Sequence, residues 1–290
     1  PEVLRLFRHP LHPLRQKEQR GGALGWIVRD FGLNDAIESG LVKTPRVVVR
    51  DDAVPDAKTY KSRLYHIYND PEVKDDLNRP AQPEEPLPDL VLNAYYLLGY
   101  DWREAYKAWA EAGLPTPPVM ITVCNRTETA ARVKHAFDSR RIHIDELCDP
   151  ERILHIDSRV LDQAEAQEEP VEPLSEPEES AEDAETAERK LTKADQAELL
   201  RRTVDTVGRA GQPGEKIQSV ISGGMLSEGW DAKTVTHIMG LRAFSSQLLC
   251  EQVVGRGLRR TSYEVKKTVD PYTGQEIELF EPEYVTIFGV

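Results

Sequence analysis

The 290-residue sequence contains few cysteines and no long hydrophobic run. No stretch approaches the roughly 20 consecutive apolar residues that a bilayer span needs, and residues 1–8 lack the apolar core of a secretory signal. The three cysteines, Cys124, Cys148 and Cys250, are too widely spaced for a zinc or redox motif. We therefore expect a cytoplasmic protein with no membrane partner, no disulfide and no structural zinc.

Positive charge is also scarce, since 37 Lys and Arg stand against 50 Asp and Glu and give a net charge of −13. Taken alone, this balance argues against nucleic-acid binding. However, eleven acidic residues fall within Glu165–Glu188, which leaves −2 for the rest of the chain, while residues 189–267 carry 14 basic and 8 acidic residues. We interpret residues 163–188 as an acidic low-complexity segment, which is either a solvated insertion or charged helix, or else a nucleic-acid mimic. The basic region could face a polyanion.

From Val119 onward, short apolar runs alternate with helical patterns, which predicts an α/β fold with a parallel sheet covered by helices on both faces. Residues from about 55 to 115 are helical in pattern but broken by prolines, and we interpret them as a helical insertion. A short helix near Asn34–Ser39 and a strand near Val47–Val49 precede them. The five predicted strands of the sheet are Val119–Cys124, Ile153–Ile156, Ile217–Ile221, Val235–Met239 and Tyr284–Phe288. The helices predicted between them are Thr127–Phe137, Lys193–Val207 and Ser246–Leu258.

The most informative motif is a run of polar residues with helical spacing near the end of the chain. Gln252, Arg256 and Arg259 occur at i, i+4 and i+7, so on a helix they would share one face within about 40°. Two planar, permanently charged donors suit a phosphate, and such arginines stabilise charge in phosphoryl transfer. The alternative is a basic helix face that is merely solvated.

A glycine-rich turn, Ser222-Gly223-Gly224, follows one predicted strand and leads to Gly229 and Asp231. Ligands of open α/β sheets bind at the carboxyl ends of strands, which is where this turn would lie. Its backbone amides could approach phosphates, and Asp231 could accept a hydrogen bond from a ribose hydroxyl. The alternative is a tight loop without a ligand.

Together, the two motifs resemble conserved motifs of superfamily 2 helicases. Within the superfamily, the sequence most resembles the restriction subunit of type III restriction-modification enzymes, and Asp35–Lys43 looks like the inter-lobe connection of that family. The matching segments are Asn125-Arg126-Thr127 at the motif IV position, Ser227-Glu228-Gly229-Trp230-Asp231 as motif V, and Gln252-Val253-Val254-Gly255-Arg256-Gly257-Leu258-Arg259-Arg260 as motif VI.

The resemblance implies a RecA-like lobe of an ATP-dependent DNA translocase or helicase, with residues 1–45 as the inter-lobe connection and residues 46–290 as the second lobe. One departure is Gly223, which stands where many superfamily members have threonine. The resemblance implies that Arg256 and Arg259 contact the γ-phosphate, with Arg259 as arginine finger, and that Gln252 supports this cluster. It implies ribose or close nucleotide contact for Asp231, Gly229 and Gly255. The residues implied to contact the DNA backbone are Asn125, Arg126, Thr127, Ser222 and Gly223.

The sequence lacks a phosphate loop of the Gly-x-x-x-x-Gly-Lys-Ser/Thr type and an acidic box for magnesium. We therefore expect ATP and Mg²⁺ as cofactors, with the magnesium ligands in a separate N-terminal RecA-like lobe and no metal site in this chain. The expected partners are DNA, that lobe and a DNA-modification methyltransferase subunit. Two other functions stay open: a lobe of a DNA-repair or remodelling helicase, and a non-catalytic protein-docking module.

Overall fold

The computed structural model describes residues 32–47, 64, 66–156, 193–223, 230, 232–244 and 247–289. The strands in these ranges are β1 (Thr44–Val47), β2 (Val119–Cys124), β3 (Ile153–Ile156), β4 (Ser219–Ser222), β5 (Val235–Leu241), β6 (Val265–Val269), β7 (Glu276–Phe280) and β8 (Tyr284–Phe288). The α-helices are α1 (Leu33–Glu38), α2 (Pro71–Asn78), α3 (Asp89–Glu111), α4 (Thr127–Asp138), α5 (Lys193–Asp205) and α6 (Gln247–Gly257).

Six strands form one sheet in the order β1-β8-β5-β2-β4-β3, and all neighbouring strands are parallel. This confirms the predicted α/β class, and the arrangement is consistent with the expected RecA-like lobe. None of the helices in the described ranges combines the length and the apolar character that a bilayer span requires.

Side chains of the central strand β2 alternate between the two faces of the sheet, as the period of two in a strand dictates. Met120 and Cys124 lie in a core with α2, α3 and α4, whereas Val119, Ile121 and Val123 lie in a core with α5 and α6. All five side chains are buried. Both faces of β2 are therefore covered, which explains why the strand reads as a continuous apolar run.

The long helix α3 is fixed to the sheet by two buried hydrogen bonds. The indole Nε1 of Trp102 donates to the carbonyl of Pro118 at 2.9 Å, and the Tyr95 hydroxyl lies 3.0 Å from the Thr122 hydroxyl on β2. Because the apolar residues of α2 and α3 share one core with those of β2 and α4, the helical segment covers one face of the sheet. The boundaries proposed for an insertion and for residues 1–45 stay predictions.

Two features differ from the sequence-based expectation. The sheet has a sixth strand, β1, which begins three residues earlier than the β-branched run suggested and includes Pro45. A proline is tolerated there because β1 is an edge strand. The second feature, an antiparallel hairpin of β6 and β7 before β8, was not predicted.

Candidate functional site

Two of the predicted site segments meet at the carboxyl edge of the sheet. Strands β2 and β4 are neighbours, with Val123 opposite Ser222 in the register, so the residues that follow each strand lie side by side. A Cβ atom added at Gly223 would lie 2.7 Å from Cα of Thr127. The structure thus brings Gly223 of the glycine-rich turn into contact with the motif IV segment.

This close approach also explains why position 223 is a glycine. The backbone of Thr127, at the start of α4, fills the space that a side chain at position 223 would need. Any side chain there would force the two segments apart. Ser222, the last residue of β4, is buried with 2% of its surface exposed.

The side chain of Asn125 holds α2 against the end of β2. Its amide nitrogen donates to the carbonyl of Leu77 at 3.0 Å and to Oδ1 of Asn78 at 3.1 Å, and its Oδ1 accepts from the Thr129 hydroxyl at 2.8 Å. The amide nitrogen also donates to the Tyr68 hydroxyl at 3.3 Å. The contacts of Asn125 are therefore internal, and no pattern in the sequence predicts that α2 is its partner.

Arg126 lies at the rim of the same edge, with its side chain 37% exposed. Its guanidinium donates to the carbonyl of Asn78 at 2.6 Å and pairs with the Glu128 carboxylate at 3.1 Å. The pKa of Glu128 lies below its ordinary value because the carboxylate accepts from its own backbone amide and from Arg126. The Glu128 carboxylate thus occupies the first turn of α4, where the helix dipole favours an anion.

Helix α6 carries the first part of the motif VI segment, from Gln252 to Gly257. Gln252 is exposed and Arg256 is half-buried, whereas Val253 and Val254 are buried against the sheet. A Cβ atom added at Gly255 would meet no other atom within 4 Å. The outward face of α6 therefore combines an amide, a guanidinium and open space.

Arg259 is not on that helical face. Helix α6 ends at Gly257, where an added Cβ atom would lie 2.8 Å from Ile238 and 3.1 Å from Val235 on β5. The chain then leaves the helix, and Leu258 donates to the carbonyl of Gly255 at 3.3 Å in a tighter turn. The expectation of one face for all three polar residues holds for Gln252 and Arg256 and is wrong for Arg259, which is exposed beyond the helix.

Trp230 of the motif V segment contacts the motif VI helix. The Arg256 guanidinium donates to the carbonyl of Trp230 at 3.4 Å, and the Trp230 indole donates to the carbonyl of Val204 on α5 at 2.9 Å. Trp230 is 4% exposed, so it anchors this segment beneath the two helices. Asp231, the predicted ribose contact, and Gly229, predicted to allow the close turn, lie outside the described residues.

Comparison with known proteins finds a distant structural neighbour and no family. No known family profile matches the sequence, and no curated protein matches it. One solved structure that resembles the chain is described as "ATP-dependent Type ISP restriction-modification enzyme LlaBIII bound to DNA", with 14% identity and a TM-score of 0.38 over 89% of this chain. The chain spans 13% of that enzyme chain. A likeness at this level carries no argument about function.

Proposed function

We propose that the chain is the second RecA-like lobe of an ATP-dependent DNA translocase or helicase of the type III restriction kind. In this proposal, residues 46–290 form the lobe, residues 1–45 connect it to an N-terminal lobe, and residues 163–188 form an acidic insertion. The lobe would also have DNA and a DNA-modification methyltransferase subunit as partners. The protein would act in the cytoplasm.

The observation that carries the proposal is the contact between Arg256 and the carbonyl of Trp230. Gly223, the residue after β4, approaches Thr127, and Trp230 follows it closely in the chain, before β5. Two residues that are near each other in sequence therefore contact the proposed DNA edge and the arginine-bearing helix. This proximity supports a motor that couples nucleotide turnover to DNA contact.

The outward face of α6 fits the phosphates of a nucleotide. The Gln252 amide and the Arg256 guanidinium are donors for phosphate oxygens, and the open space beside Gly255 would admit them closely. Bound ATP would supply the phosphoryl group that is transferred to water, and its Mg²⁺ would be held by the other lobe. Arg259 would stabilise charge on that group. Asp231 would hold the ribose, and Gly229 would allow the close turn.

At the carboxyl edge, a DNA phosphate would replace the Glu128 carboxylate beside Arg126 and the first turn of α4. Asn125 would contribute by holding α2 in place, and Ser222 and Gly223 by seating the motif V segment against Thr127. Contacts of this kind position a backbone without reading its sequence, so binding should be indifferent to sequence.

The proposal is tested by replacing Arg259 with Ala in the complete protein that carries both lobes. We expect the variant to lose about 10³- to 10⁵-fold in DNA-stimulated ATP turnover, because this is the range over which arginine fingers act. DNA affinity and thermal stability should change little, since Arg259 is exposed. Steady-state ATPase rates, DNA binding and thermal melting measure the three effects.

Arg209→Ala serves as the matched control, because Arg209 is an exposed arginine in the turn after α5. This variant should keep the wild-type rate. The residue 1–290 chain alone should hydrolyse no ATP at any DNA concentration, since its arginines would act on a nucleotide bound mainly by the other lobe. DNA-stimulated turnover by that chain, or more than about a tenth of the wild-type rate in Arg259→Ala, would contradict the proposal.

A further inference from the structure

Arg259 is exposed, but the residues on either side of it are buried. Leu258 is 1% exposed and Arg260 is 4% exposed. A short segment between a helix and a hairpin would ordinarily be free to change its backbone conformation. Here both flanks of Arg259 are fixed by long-range hydrogen bonds, so the backbone that presents its side chain is held from two sides.

The upstream flank is fixed by Lys43, the residue that precedes β1. The backbone amide of Lys43 donates to the carbonyl of Leu258 at 2.7 Å. Its ammonium donates to the carbonyls of Lys233 and Val235, at 2.7 and 2.6 Å, at the start of β5. Lys43 thereby joins the end of α6 to two strands of the sheet.

The downstream flank is fixed by a partly buried ion pair between Arg260 and Glu283. The Arg260 guanidinium donates to the carbonyls of Ser262, at 3.1 Å, and Glu281, and it lies 3.5 Å from the Glu283 carboxylate. That carboxylate accepts from the amide and the hydroxyl of Thr261, each at 2.9 Å, and from the amide of Ser262 at 3.2 Å. The two residues directly after Arg260 are therefore tied to Glu283.

We propose that Arg260 and Glu283 are positioning residues for Arg259, holding its backbone so that its guanidinium projects toward the nucleotide at one fixed place. The inference rests on the proposed function, because it assumes that Arg259 stabilises charge on the transferred phosphoryl group. A planar guanidinium can serve two carbonyls and a carboxylate at once, whereas a lysine ammonium is a point charge on a flexible stem. Catalytic groups depend on such preorganisation, and a misplacement of about 1 Å can cost about 10²-fold in rate.

The experiment combines Arg260→Lys and Glu283→Gln with Arg259→Ala in the complete protein. We expect each single variant to lower kcat about 10²-fold. The KM for ATP should stay within about threefold, because ground-state binding of ATP involves mainly the other lobe. In the Arg259→Ala background, neither change should lower the rate further, since a positioning residue acts only through the group that it positions.

Arg132→Lys controls for a loss that is merely structural. Arg132 is also a buried arginine, 2% exposed, and it pairs with Asp76 at 2.8 Å and donates to two backbone carbonyls. It lies on α4, on the face of the sheet opposite to α6. The Arg132→Lys variant should lower the melting temperature as much as Arg260→Lys does and leave kcat unchanged. All rates are measured well below the melting temperature of the least stable variant. If Arg260→Lys does not fold, the test is made with Glu283→Gln alone, which is nearly isosteric.

Three outcomes would overturn the inference. Wild-type kcat in both Arg260→Lys and Glu283→Gln would show that Arg259 does not depend on them. Equal losses in the presence and absence of Arg259 would assign the effect to general damage, as would an equal loss in Arg132→Lys. If Arg259→Ala itself kept its activity, the proposed function would be contradicted. That failure is distinguishable from failure of the present inference, because it is seen in a variant in which Arg260 and Glu283 are unchanged.

Discussion

The buried ammonium of Lys43 predicts a specific dependence of stability on pH. Lys43 is 1% exposed, and burial lowers the pKa of its ammonium from the ordinary value of 10.5 to about 8. The Glu283 carboxylate opposes this decrease, and the Arg260 guanidinium adds to it. The folded chain therefore releases this proton at a lower pH than the unfolded chain does.

The sign of the effect follows from proton binding. Between pH 8 and 10.5 the unfolded chain binds more protons at this position than the folded chain, so the free energy of unfolding rises with pH. One pKa unit corresponds to about 1.4 kcal/mol, so the Lys43 contribution grows by about 3 kcal/mol across the window. About 2 kcal/mol of this should develop between pH 7 and 9.5.

The perturbation is Lys43→Met, which keeps most of the stem and removes the titrating group. The free energy of unfolding is measured by urea titration with tryptophan fluorescence at several pH values between 7 and 9.5. The wild-type value minus the variant value should rise by about 2 kcal/mol over this range. Only the difference is diagnostic, because burial raises the pKa of the thiols of Cys124 and Cys250, and their titration contributes equally to both proteins.

Lys107→Met is the matched control, since Lys107 is 55% exposed and pairs with Glu104 on the surface of α3. Its stability should follow the wild-type curve at every pH. Parallel curves for wild type and Lys43→Met would refute the reasoning, because they would mean that the ammonium titrates alike in the folded and unfolded chains.

The remaining predictions concern Gly223 at the carboxyl edge, Gly255 on α6, and the acidic segment. Gly223→Val should lower the free energy of unfolding by about 1 to 3 kcal/mol because its Cβ would meet the Thr127 backbone, whereas Gly255→Ala should raise it by up to about 1 kcal/mol because it enters open space on a helix. Urea titrations check both, and equal effects would contradict the packing described. Deleting Glu165–Glu188 should tighten DNA binding, most strongly at low salt, where the screening length is about 30 Å at 0.01 M. A salt titration with labelled single- and double-stranded DNA measures this, and an unchanged affinity at low salt would contradict it.

The sheet was largely predictable from the sequence because its strands are buried on both faces. The bounds of β2, β3 and β8 agree with the apolar runs, since a strand covered by helices on both sides is mostly apolar. Helix α4 was predicted to within one residue of its end, because its apolar positions recur with helical spacing.

The hairpin of β6 and β7 was missed because its strands are short and polar: only β7 alternates, over Glu276–Leu279, and no residue of either strand is buried. All five residues of β6 are exposed. The pairing depends instead on a turn in which the Asp270 carboxylate accepts from the amide of Tyr272 and the hydroxyl of Thr273, each at 2.8 Å. Gly274 closes this turn with a φ of 68°. The Asp-Pro-Tyr-Thr-Gly turn signal was present in the sequence, and its flanking runs were too polar to be recognised as strands.

The candidate site was predictable in its residue types and only partly in its geometry. Helical spacing located Gln252 and Arg256 on one face, but spacing alone cannot show that packing of Gly257 against β5 ends the helix before Arg259. Nor can it show that the partners of Asn125 come from α2, some fifty residues earlier in the chain. Both results depend on long-range contacts. The assignment of catalytic, nucleotide and DNA roles stays a prediction.

The position of β1 beside β8 has a consequence for synthesis on the ribosome. Arg46 on β1 and Thr286 on β8 are opposite in register, although 240 positions separate them in the chain. At about 5 to 20 residues per second, β1 emerges about 10 to 50 seconds before its pairing partner has been made. During that time the backbone N–H and C=O groups of β1 that pair with β8 have no partner strand. A nascent chain arrested before Tyr284 would therefore present an unpaired β1 to chaperones, and only translation of the last strand would complete the sheet.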